Sequence, residues 1–105
     1  MTLVQSPTYS PLMINATHDI AAAEEIQQAL RSDSSLGFYV HWRAKTIAFV
    51  LVEKTGDADY CIARLCFGKG YAGQGHVKEL LEILVDTLQK VYIADKITFG
   101  DKLER

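Results

Sequence analysis

The stretch Gly68–Leu84, "GKGYAGQGHVKELLEIL", places four glycines within eight residues and then enters an apolar-periodic segment. Val77, Leu80, Leu81, Leu84, Leu88 and Val91 recur at helical spacing and mark one stripe of an amphipathic helix. Glu79, Glu82, Asp86 and Lys90 fall mainly off that stripe. Glycine lets the backbone take left-handed conformations and approach a neighbour closely. The helix start that follows offers free N–H groups and the positive end of the helix dipole. A glycine loop feeding a helix in this way suits an anion, a phosphate above all.

Two common phosphate motifs fit this stretch poorly. Gly68-x-Gly70-x-x-Gly73 has the dinucleotide-binding spacing. The strand before it follows a hairpin, however, and the acidic residue expected about 20 positions on is met only by the poorly placed Asp95. The P-loop pattern is absent, because neither Lys69 nor Lys78 is followed by Ser or Thr.

Upstream of the glycines, "YCIARLCF" (Tyr60–Phe67) reads as a strand, its apolar run broken by Arg64. "TIAFVLVEK" (Thr46–Lys54) is nearly continuous in apolarity, as a central strand covered on both faces would be. "TGDAD" between them has hairpin chemistry, with Gly56 free to take a positive φ. "FYVHW" (Phe38–Trp42) precedes the tight polar break "RAK". Further back, Ile20, Ala23, Ile26 and Leu30 recur at helical spacing behind a cap at Thr17 or Asp19. "LMIN" (Leu12–Asn15) reads as a short first strand, and residues 1–11, with Pro7 and Pro11, as a flexible arm. Downstream, "KITFG" (Lys96–Gly100) reads as the last strand. Strand, loop, helix and strand in succession predict a parallel crossover between Tyr60–Phe67 and this segment.

The chain has 105 residues, 49% of them apolar, which suits a single domain over residues 12–105. A domain of this size buries only about 60–65% of its unfolded surface, so its thin core favours a protein partner or a homo-oligomer. A formal charge of −2 and the lack of a basic run argue against nucleic-acid binding. The rings of Phe38, Tyr39, Trp42 and Phe49 read as sheet packing, with only Arg43 and Lys45 interleaved as cations. No stretch reaches the ~18 apolar residues of a membrane helix, and no secretory leader is visible, which predicts a cytoplasmic protein. Cys61 and Cys66, five apart on one strand, should face opposite ways and stay unpaired; no metal-ligand spacing is present.

The segment from Met13 to Phe99 resembles the GCN5-related N-acetyltransferase (GNAT) family. In that family a strand leads through a glycine loop into an amphipathic helix and a short strand, as "YCIARLCFGKGYAGQGHVKELLEIL…KITF" does here. "YAGQGHVKELLE" (Tyr71–Glu82) aligns without a gap, and the earlier segments match the family's first strand and helix and its second and third strands. The resemblance implies an α/β (α+β) fold: a mixed, mainly antiparallel sheet of four to five strands with two helices, a minimal GNAT-like domain. It implies acetyl-CoA or CoA as ligand and no metal. The loop Ala72, Gly73, Gln74, Gly75, His76, Val77 would wrap the pyrophosphate, and the backbone of Leu65, Cys66 and Phe67 would face the pantetheine. Two positions depart from the family pattern. Ala72 stands where the family has Gln or Arg, and Val77 where it has a small residue. The family also continues beyond the last strand with a helix and two strands, a region represented here only by Gly100–Arg105.

Amine acylation needs a base and a donor that polarises the thioester carbonyl. His76 at the helix start and Glu53 at a strand end are the catalytic candidates. Each has a plain alternative, His76 as a surface residue of the first turn and Glu53 as a solvated side chain beside a hairpin. Two functions follow. One is a CoA-type ligand-binding or protein-interaction module with weak or absent catalysis. The other is an active small N-acetyltransferase, completed by oligomerisation.

Overall fold

The computed structural model describes residues 1–16, 20–71 and 75–100. Five strands form one sheet in sequence order: β1 (Thr2–Gln5), β2 (Ser35–Trp42), β3 (Lys45–Lys54), β4 (Asp59–Phe67) and β5 (Lys96–Phe99). β1 to β4 are antiparallel neighbours, and β5 lies parallel to β4. Helices α1 (Ile20–Leu30) and α2 (His76–Lys90) lie on opposite faces. This is the mixed, mainly antiparallel α+β sheet with two helices read from the sequence, including the parallel β4–α2–β5 crossover.

The central strand explains the layering. Val50 and Val52 face α2 and pack with Leu80, Leu84 and Leu88. Phe49 and Leu51, one residue out of phase, face α1 and pack with Ile26, Tyr39 and Ile14. Alternate residues of a strand point to opposite faces, so burial on both faces requires a continuous apolar run. Each fully buried aliphatic side chain contributes about 1.5–3 kcal/mol relative to exposure. α2 places Glu79 in its first turn and Lys90 in its last, matching the dipole, and Asp86 pairs with Lys90 at 3.0 Å. Val91, expected on the apolar stripe, lies one residue past the helix and is exposed.

The first strand lies earlier than expected. Leu12–Asn15 is no strand: Pro11–Ile14 is a 3-10 turn, which Pro11 enters at a favoured position and Asn15 closes in the left-handed region (φ 57°). The strand is Thr2–Gln5, within the stretch read as an arm, and pairs with β2 from Thr2↔His41 to Gln5↔Phe38. The following residues cross the α1 face. Tyr9 is buried beside Tyr39 and Phe49, with ring centroids at 6.4 and 4.6 Å. The Gln27 amide bonds both the Tyr9 N–H and its C=O, and the Ser10 N–H donates to the Tyr39 hydroxyl at 2.9 Å.

Two bulges set which side chains face which helix. Ile47 is the extra residue between the pairs Val40↔Ala48 and His41↔Thr46, and Ala63 is the extra residue between Leu51↔Arg64 and Val52↔Ile62. An inserted residue shifts the alternation by one. Cys61 and Cys66 therefore share the α1 face instead of facing opposite ways; neither forms a disulfide. Gly56, though free to take a positive φ, does not take one. The left-handed residues of the hairpins are Arg43 (φ 51°) and Ala44 (φ 63°) in the two-residue β2–β3 turn.

Tyr92, just after α2, closes the α2-side core against Phe38 and Tyr60 and donates its hydroxyl to Gln5 Oε1 at 2.9 Å. Desolvation, then the neighbouring Tyr60, raises its pKa above the ordinary 10.0. The folded state thus holds this proton more tightly than the unfolded state does. The stabilisation is complete below pH 10 and is lost as pH rises through the folded-state value. Urea unfolding compared at neutral pH and above pH 10 should show a smaller alkaline loss of stability in Tyr92→Phe than in the unaltered protein.

Candidate functional site

Among the described residues, β4 has neighbours on both sides along its first half only. β5 pairs with it from Asp59↔Lys96 to Ile62↔Phe99, and the Gly100 N–H closes the ladder on the Ile62 C=O at 2.8 Å. Among the described residues no strand lies on that side beyond Ile62. On the other side the Gly68 N–H donates to the Ile47 C=O at 2.7 Å. This fixes the phase of the antiparallel ladder. Arg64 and Cys66 bond towards β3, while the N–H and C=O groups of Leu65 and Phe67 point to the open edge. Leu65 is buried and Phe67 half-buried on the α2 side, and Cys66 packs on the α1 side.

The open edge runs into the glycine loop. Gly68 must be glycine because an added Cβ would lie 2.0 Å from the Ile14 carbonyl oxygen. Gly75 is the N-cap of α2 in the left-handed region (φ 80°), with open space around it. Ala72, Gly73 and Gln74 lie outside the described residues, as do Thr17 and Asp19. Val77 turns its side chain into the α2-side core.

The two catalytic candidates are far apart. His76 packs its ring against Trp42 (4.7 Å between centroids) and Tyr71 (6.0 Å). The Arg43 guanidinium carbon stands 4.6 Å over the Trp42 ring. Glu53 sits at the other end of the sheet, paired with Cys61. From Cys61 to Phe67 the strand spans about 20 Å. Glu53 lines a recess of about 360 Å³ on the α1 face with Glu25, Ala29, Leu51, Cys61, Ala63, Arg64 and Gly100. Arg64 closes one wall through its ion pair with Glu25 at 2.5 Å. The recess thus lies where β4 and β5 part, at the Ala63 bulge.

Sequence reading missed this recess, because Ala63 gives no signal of a bulge and α1 is remote in sequence. Arg64 breaking an apolar run was the one visible hint. Among the described residues no group of three or more His, Cys, Asp or Glu side chains could hold a metal, and no helix is long and apolar enough to cross a membrane. The placement of His76 has a measurable consequence. His76→Ala should lower stability by roughly 0.5–1.5 kcal/mol, an aromatic-pair contribution. It should also shift the emission of Trp42, the single tryptophan, in urea unfolding.

No protein-family profile matches the sequence, and comparison with curated protein sequences finds no match. Solved structures do match. A GNAT family acetyltransferase from Elizabethkingia anophelis, with acetyl-CoA bound, shares 17% identity over 93% of this chain and 63% of its own, with a TM-score of 0.70. A ribosomal-protein-alanine N-acetyltransferase from Brucella melitensis biovar Abortus 2308 shares 12% over 95% of this chain and 80% of its own, with a TM-score of 0.65. An acetyltransferase from Vibrio fischeri shares 14% over 98% of this chain and 96% of its own, with a TM-score of 0.59. On this likeness of architecture, the chain has a GNAT-like fold.

Proposed function

We propose that the domain holds CoA or an acyl-CoA along the open edge of β4, with weak or absent acyl transfer. The observation that carries this is the end of the β4–β5 ladder at Ile62, which, among the described residues, leaves the Leu65 and Phe67 backbone groups facing an open edge that leads to the start of α2. An extended arm with amide groups can bond there as an added strand would. The α2 N-terminus, with Gly75 and His76, then receives the pyrophosphate. The Elizabethkingia anophelis fold neighbour, solved with acetyl-CoA bound, supports the ligand class. Weak catalysis follows from His76, whose ring is engaged by Trp42 and Tyr71.

A second reading, acetyl transfer to an amine, is favoured by the recess at the Ala63 bulge. Glu53 lines it, at the far end of the edge from the glycine loop, where an acyl group would arrive. In that reading Glu53 takes a proton from the amine. Two cysteines outside any disulfide suit a reducing, cytoplasmic setting. The β5 edge, where Phe99 is 46% exposed, is where a second copy or a protein partner would cover the sheet.

Calorimetric titration with CoA and acetyl-CoA, paired with an amine-acylation assay, separates these readings. Binding without transfer supports the first, and transfer lost in Glu53→Gln supports the second. Gly75→Val forces a β-branched residue into the left-handed region at a cost of about 1–2 kcal/mol, distorting the loop while the sheet stays intact. It should weaken CoA binding at least tenfold with an unchanged circular dichroism spectrum. Unchanged binding in that variant would remove the loop as the ligand site.

A further inference from the structure

The β2–β3 turn is built at a conformational cost. Two-residue hairpin turns with both residues left-handed favour Asn-Gly, yet here they are Arg43 (φ 51°) and Ala44 (φ 63°). The turn carries the Arg43 guanidinium over Trp42, whose ring touches His76 at the start of α2. Lys45 pairs with Trp42 across the turn, Lys69 follows Gly68 beside Ile47, and Lys78 lies in the first turn of α2. Four cations therefore gather at one end of a chain whose net charge is −2. Glu79 is the sole acidic side chain on the described residues of these segments. None of the four cations makes an ion pair among the described residues, whereas Arg64 and Lys90 both do. Arg43 and the three lysines are exposed, beside the half-buried rings of Trp42 and Tyr71.

We propose that this end of the molecule recognises the 3′-phosphoadenosine part of CoA, with Arg43 and Lys45 on the 3′-phosphate and the Trp42–Tyr71 rings against the adenine. The proposal rests on the CoA reading above and adds a selectivity to it: CoA is preferred over 3′-dephospho-CoA. Charge complementarity supports this occupant. The nucleotide end of CoA combines an aromatic base with a terminal phosphate dianion, and the site combines half-buried rings with exposed cations that make no ion pair among the described residues. Arg43 and the lysines also supply positive charge that Ala72, in place of the family's Gln or Arg, does not.

The test is calorimetric titration with CoA, 3′-dephospho-CoA and adenosine 3′,5′-bisphosphate. The protein should bind CoA about tenfold or more tightly than 3′-dephospho-CoA, the scale of one charge-assisted phosphate contact, and should bind the bisphosphate alone. Arg43→Gln with Lys45→Gln should lower CoA affinity to the 3′-dephospho-CoA level and leave the latter within about twofold. Arg43→Asn with Ala44→Gly installs the favoured turn pair, so this variant should be at least as stable as the parent and still lose most of the preference. Equal affinity for CoA and 3′-dephospho-CoA in the unaltered protein would overturn the proposal and leave the CoA reading standing. Failure of all three ligands to bind would overturn both. Retention of the full preference in both variants would overturn the assignment to this turn.

Discussion

Along Asp59–Ile62, β4 is hydrogen-bonded on both sides; from Ala63 to Phe67 it is bonded on one, among the described residues. That change of partner organises the rest of the site. Backbone polar groups at an unpaired edge seek a partner, and a ligand with amide groups along an extended arm can supply one. The Ala63 bulge falls at the point where β5 leaves, so strand alternation resets there and Arg64 turns to the α1 face. The recess with Glu53 and the glycine loop thus mark the two ends of one open stretch of strand.

The fold was legible because its strongest signals are local and periodic. The unbroken apolar run of β3 can be satisfied only by cover on both faces, and α1 and α2 supply it. The order of strand, glycines, helix and strand forces a parallel crossover. The first strand was misplaced because Thr2–Gln5 is a mostly exposed edge with no alternating apolar face, while Leu12–Ile14 is apolar without being extended. Pro11 and Asn15 bound that segment and suit a turn better than a strand. The faces of Cys61 and Cys66 could not be read, since a bulge leaves no mark in composition.

The site was legible in part. Gly68 and Gly75 stand where the backbone needs them, Gly68 for close approach to Ile14 and Gly75 for its left-handed cap. Val77 packs into the core, a placement that a helix start alone does not specify. The surroundings of His76 come from β2, over thirty residues earlier, and the Glu53 recess joins α1 to β3 and β4. Contacts of that kind are set by sheet order and helix docking, and no short motif carries them.

The central claim is that the open half of β4 and the start of α2 form one ligand track. Amide chemical-shift mapping during titration with CoA tests it most directly. Shifts concentrated at Leu65, Phe67, Gly75 and His76, with Thr2–Gln5 unmoved, are the predicted outcome. Absence of shifts at Leu65 and Phe67 at saturating CoA, or shifts confined to another face of the sheet, would contradict it.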